Sequence, residues 1–265
     1  LVNVHPDEPQ AHALYGDLLF GDGQIAKAAQ QYQRTLELND NNYKVWQQLL
    51  ACFEQLGDFT KLDKESDKAL ELFPNRLIFY YYNATAAFQQ GNHKKAAATA
   101  EAGVDLGVND KQVNVSLYNI IGSAYYKQAK YNESYAAFEE ALTLDPNNLL
   151  VLNNYAYYLS EQGDHLEKAL AMSKRTIEIS PNNPAYLDTY GWILYKSERY
   201  NDALGYIRKA LELSPGDGDI MEHLGDVHYR LGNKEEAAKY WQKSKDSGND
   251  SVQLDRKINE GKLSD

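Results

Sequence analysis

Small side chains recur along this chain at almost constant intervals. Gly16, Ala84, Gly122, Ala156, Gly191 and Gly225 form one ladder, with Leu50 in its second place, and the successive separations are 34, 34, 38, 34, 35 and 34 residues. Ala28, Leu62, Ala96, Ser134, Ala169, Ala203 and Ala237 form a second, spaced 34, 34, 38, 35, 34 and 34. A third runs Asp40, Pro74, Val108, Pro146, Pro181 and Pro215, spaced 34, 34, 38, 35 and 34. Three ladders share one period and slip in the same stretches of chain. Such a period marks stacked supersecondary units, none of which can bury its apolar face alone.

Each unit reads as two helices. In the sixth, Leu187, Tyr190, Gly191 and Leu194 stand at i, i+3, i+4 and i+7, one stripe of a helix. A turn follows, and then a second helix with Ala203, Ile207 and Ala210 on its packing face. Small residues permit close approach of the two helices, while bulky ones fill the gaps between hairpins. Pro215 ends the second helix, and Asp145-Pro146-Asn147-Asn148 and Ser180-Pro181-Asn182-Asn183 do the same elsewhere.

These residues resemble the tetratricopeptide repeat (TPR) family, whose 34-residue unit has bulky, Leu/Gly, aromatic, Ala, aromatic, Ala and Pro positions. The sixth unit matches with Leu187, Tyr190-Gly191, Leu194, Ala203, Ile207, Ala210 and Pro215, and the fourth with Tyr118, Ile121-Gly122, Tyr125, Phe138, Ala141 and Pro146. Seven units in register cover residues 9–245. The resemblance implies an all-α fold, a right-handed α-α superhelix (solenoid) of seven helical hairpins. Leu254 and Ile258, at i and i+4 in the polar segment Ser251–Lys262, add a C-terminal capping helix, which repeat arrays need for solubility.

The departures are local. Four extra residues near Asp110–Asn114 are expected to lengthen the link between units three and four, and to divide the array into 1–110 and 111–265. One extra residue falls around Asp164–Leu166, and Leu50 with Leu62 predicts looser or re-angled packing in unit two. Leu1, Val2 and Val4, just before an in-phase Pro6, read as the tail of a second helix from an earlier repeat.

Composition narrows the function. With 38 acidic residues against 27 basic ones, a net charge of −11 repels phosphate backbones, which speaks against nucleic acid as a partner. No apolar run approaches the ~20 residues that span a bilayer, so direct membrane insertion is not expected. The single cysteine, Cys52, in a core place of a first helix, leaves no internal disulfide and no CxxC metal site. The densest polar cluster holds His223 and His228, but they are five apart rather than the four that puts two imidazoles on one face. No cofactor, metal or catalytic constellation is expected, and the chain reads as a non-enzyme.

What remains is the inner wall. Stacked hairpins curve, and the first helices line the concave side. Opposite their packing stripe lie Asn119 and Tyr126 in unit four, Asn153 and Tyr157 in unit five, Asp188, Trp192 and Tyr195 in unit six, and His223 and Tyr229 in unit seven. Aromatic rings cover apolar side chains and amides bond any peptide backbone, so these nine residues form the expected peptide-binding set. Asp188, Glu222 and Asp226 predict a preference for a neutral or basic segment. The basic pair with which some family members clasp a terminal carboxylate is absent, its places holding Gln47, Ala51, Asn119 and Ser123. The expectation is a scaffold or adaptor for a protein or peptide partner. Its alternatives are a self-assembly module forming a homodimer through an exposed array end, and the regulatory array of a larger enzyme. The stretch from Asn153 through Trp241 also looks like bacterial TPR proteins of the cell envelope (periplasm), often lipid-anchored.

Overall fold

The structure, a computed structural model, describes residues 6–163 and 165–263. Leu1, Val2, Val4 and Asp164 therefore lie outside the described residues. Fifteen α-helices and no strand are found among the described residues. They are α1 (Pro9–Gly21), α2 (Ile25–Leu38), α3 (Tyr43–Gln55), α4 (Phe59–Leu72), α5 (Leu77–Gln89), α6 (His93–Val104), α7 (Lys111–Lys127), α8 (Tyr131–Leu144), α9 (Leu149–Gln162), α10 (Leu166–Ile179), α11 (Pro184–Lys196), α12 (Tyr200–Leu213), α13 (Gly218–Arg230), α14 (Lys234–Asp246) and α15 (Val252–Glu260). Two compact units result, Leu1–Pro146 with four hairpins (α1–α8) and Asn147–Asp265 with three hairpins and α15.

Within a hairpin the first-helix ladder meets one place on the second helix. A Cβ built on Gly16 would stand 2.7 Å from Tyr32, on Gly122 2.8 Å from Phe138, on Gly191 2.5 Å from Ile207, and on Gly225 2.5 Å from Trp241. Where the first-helix ladder carries Leu50, Ala84 or Ala156, the corresponding second-helix place holds Ser66, Ala100 or Ser173. In five of the seven hairpins a large residue on one helix goes with a small one on the other, and in the third and fifth both are small. The second hairpin is nonetheless the least closely approached, α3 and α4 meeting over fewer positions than the two helices of any other hairpin, as Leu50 and Leu62 lead one to expect. Leu50 and Leu62 are both fully buried, because Ser66 makes the room.

The links carry their own caps. Asn148, last residue of the Asp-Pro-Asn-Asn stretch, accepts from the Val151 amide, and Asn183 accepts from the Tyr186 amide. The four extra residues near Asp110 go mainly into α7 rather than the link. They add one turn at its start, so that it runs 17 residues against 13 in α5, with Asp110 capping Val113. The extra residue near Asp164 lengthens α9 to 14 residues, and Gly163 then turns the chain at φ 70°.

Neighbouring hairpins are also tied. In unit 1 the Gln90 amide donates to the Phe59 carbonyl and the Gln128 amide to the His93 carbonyl, each at 3.1 Å. In unit 2, α15 closes the end as expected. Leu254 is fully buried with Ala237 and Trp241, and Ile258 packs beside them.

Candidate functional site

Unit 2 holds a cavity of about 680 Å³ bordered by α9, α11, α13 and α15. Five of the nine expected residues border it: Tyr157, Asp188, Trp192, Tyr195 and His223. The spacing of the first helices brings them together, because each supplies its face opposite the packing stripe.

The aromatic wall is built before any guest arrives. Trp192 stacks on Tyr195 with centroids 4.7 Å apart and on the His223 ring at 4.1 Å. Its indole N–H donates to Glu161 Oε1 at 2.7 Å, and the same carboxylate pairs with Lys196 at 3.1 Å. Trp192 is consequently only 8% exposed, so its place opposite the packing stripe does not leave it open. Tyr157, half-buried, and Tyr200 continue the wall.

The charges follow a second rule that the residue types alone did not reveal. His223 Nδ1 lies 2.9 Å from Asp188, 35 residues earlier, and Lys257 Nζ lies 2.6 Å from Glu222, also 35 residues earlier. Lys257 also reaches Asp226 at 2.7 Å, whose other oxygen accepts from the Trp241 indole at 2.8 Å. Each cation thus comes from the helix two further along, the first helix of the next hairpin for His223, and α15 stands where the first helix of a further hairpin would. Burial opposes the charge on His223, but Asp188 foremost, with Asp226 and Glu222, outweighs it and raises the imidazole to about 9. Burial likewise opposes charge on Lys257, yet Asp226 and Glu222 hold it above its ordinary value, so it stays an ammonium.

Asp188, Glu222 and Asp226 are therefore each engaged from within, two cations against three carboxylates, which cuts the acidity expected from them. The lining keeps two other carboxylates outside any ion pair among the described residues, Glu198 and Asp219. Burial, with neighbouring Asp217, Glu222 and Asp188, raises the Asp219 carboxyl against the pull of His223.

The remaining expected residues lie elsewhere. Asn153, one turn before Tyr157, is 9% exposed, and its Oδ1 has no hydrogen-bond partner among the described residues. Tyr229 packs against Trp241 at 5.7 Å in the cluster closed by α15. Asn119 and Tyr126 belong to α7 in unit 1, where Tyr126 packs 5.3 Å from Tyr131. Neither borders the groove formed there by α3, α5 and α7. Sequence reasoning missed Glu161, Glu198, Asp219 and Lys257. For Lys257 and Glu161 a signal was available, since Lys257 from Glu222 and Lys196 from Glu161 repeat the 35-residue offset of His223 from Asp188.

Comparison with known proteins agrees with this architecture. Tetratricopeptide repeat family models match residues 1–43 and 191–251, residues 115–148, and residues 137–171. The human protein O-mannosyl-transferase TMTC3 is 26% identical over 205 residues, 77% of this chain and 22% of that protein. The bovine (Bos taurus) BBSome complex member BBS4 is 24% identical over 214 residues, 80% of this chain and 40% of that protein. The chain thus spans less than half the length of either relative. The crystal structure of a tetratricopeptide repeat protein from Parabacteroides merdae shares the fold, with a TM-score of 0.76 at 13% identity over 96% of this chain and 98% of that one. Two-helix units on a 34-residue period, nested through a small first-helix residue and matched by the repeat's own models, place this chain in the tetratricopeptide repeat family, a fold that points to interaction with other proteins.

Proposed function

We propose that this chain is a non-catalytic adaptor whose second unit holds a basic segment of a partner protein. One observation carries the reading: an aromatic wall of Tyr157, Trp192, Tyr195 and Tyr200 adjoins two carboxylates, Glu198 and Asp219, that no cation among the described residues neutralises. A lysine or arginine suits such a site twice over, by ion pairing and by its attraction to ring faces. Asp188 and His223 hold the wall in place rather than meet the guest. That one relative is by name a member of a complex fits the same reading. The test is a peptide scan with the intact chain, comparing wild type with the Glu198→Lys/Asp219→Lys variant and with Tyr157→Ala. Lys- and Arg-bearing peptides should bind wild type and weaken about tenfold or more in each variant. If the charge-reversed variant captures the same peptides, the cavity is not the site.

A further inference from the structure

The four-residue slip in the repeat period does more than shift the register. Its product, the first turn of α7, forms one wall of a groove of about 540 Å³ in unit 1, opposite α3 and α5. Asp110, Gln112 and Val113 come from this stretch; Tyr43, Gln47, Arg76 and Tyr81 face them. A helix that began where α5 begins, relative to its hairpin, would lack this wall.

The chemistry of the lining is specific. The Arg76 guanidinium carbon lies over the Tyr43 ring, 3.8 Å from its centroid. A contact with a ring occupies none of its N–H donors, and no hydrogen bond or ion pair of this side chain occurs among the described residues. Among the described residues it is the one cation in the lining. The one carboxylate of the lining among the described residues, Asp110, is turned into the start of α7, where Oδ1 accepts from the Val113 amide at 3.2 Å. The side-chain amides of Gln47 and Gln112 likewise make no hydrogen bond among the described residues. Tyr81 is held in position by donating to Glu54 Oε1 at 2.6 Å, which leaves its ring as a fixed apolar surface.

We propose that this groove is a second peptide site, for an extended segment that seats a carboxylate on Arg76. The two amides bond the main chain of the segment, as a donor and acceptor pair suits any sequence. The Arg76 edge takes the carboxylate by parallel N–H contacts, the geometry that separates arginine from lysine. Tyr43, Tyr81 and Val113 cover apolar side chains. The site differs from the cavity of unit 2 in sign: there the unpaired groups are carboxylates, here the unpaired group is a guanidinium.

The test uses the intact chain and two short fluorescent peptides, one alternating Leu and Glu, the other alternating Leu and Lys. Alternation places every charge of an extended peptide on one side. Anisotropy should show saturable binding of the Leu/Glu peptide, weakened about tenfold or more by Arg76→Glu and less by Arg76→Lys. Gln112→Trp should block binding by filling the groove, with helicity by circular dichroism unchanged. Glu198→Lys/Asp219→Lys should leave it unaltered, which separates this site from that of unit 2. The proposal is overturned if the Leu/Glu peptide does not bind, if Arg76→Glu binds it as tightly as wild type, or if the Leu/Lys peptide is preferred by wild type and variant alike.

Discussion

Gly191 lies so close to Ile207 that a Cβ on the glycine would stand 2.5 Å from Ile207 Cγ1 and 3.2 Å from its backbone nitrogen. The side chain can yield a little; the backbone of α12 cannot. Gly191→Ala should therefore destabilise the chain by about 1–3 kcal/mol, as overpacking does. Gly205, exposed on α12 in the same hairpin, meets nothing within 4 Å. Gly205→Ala should stabilise by about 0.5–1 kcal/mol through backbone entropy. Urea unfolding of the pair reads both signs, and equal effects would show that the hairpin does not pack through Gly191.

His223 links stability to pH. Its folded value, about 9, lies above the 6.5 of an unperturbed imidazole. The pairing with Asp188 is then fully stabilising below about pH 6.5 and is lost as pH rises through about 9. The loss is on the order of 3 kcal/mol, since a tenfold change in proton affinity is worth about 1.4 kcal/mol. Asp188→Asn should flatten this part of the profile. Unfolding of wild type and variant, followed by tryptophan fluorescence at several pH values, gives the comparison.

Lys257 is 8% exposed at its side chain, between Glu222 and Asp226. Lys257→Met leaves two buried carboxylates facing each other, a change that costs about 3–5 kcal/mol where the structure cannot relax. Here α15 can detach, which limits the loss to the free energy of its docking. The expected result is fast amide exchange over residues 252–260 with the three hairpins of unit 2 still protected. Global unfolding instead would show that α15 is part of the core rather than a cap.

Cys52 sits in α3 with no exposure, and burial pushes its thiol up to about 11. A thiol reagent at neutral pH should react with it only as fast as unit 1 opens, because neither the thiolate nor an access path exists in the folded state. Rapid labelling without denaturant would contradict the placement of α3 in the core.

The charge pattern shows where sequence reasoning reached and where it stopped. Trp192, Asp188, His223, Tyr195 and Tyr157 could be placed on one wall because helical periodicity places side chains on faces, and the 34-residue period aligns those faces. Asp188 pairs with His223 and Glu222 with Lys257 one period apart, but other partners do not follow the period. Glu161 bonds Trp192 from 31 residues away, and the Lys257 ammonium reaches Asp226 from 31 residues away. Such pairings depend on rotamers and on how far a long side chain reaches, which spacing leaves free.

The period of small residues, by itself, determined seven nested hairpins and the helix face that each would turn away from its packing stripe. Only the tertiary structure decided which of those faces are already occupied by the protein's own side chains, and that an added turn of α7 would become a groove wall. The reason is physical: packing within a hairpin is local and repeats with the period, whereas between hairpins the period aligns two faces, as it does Asp188 with His223 and Glu222 with Lys257, without fixing which rotamers meet or what they bury.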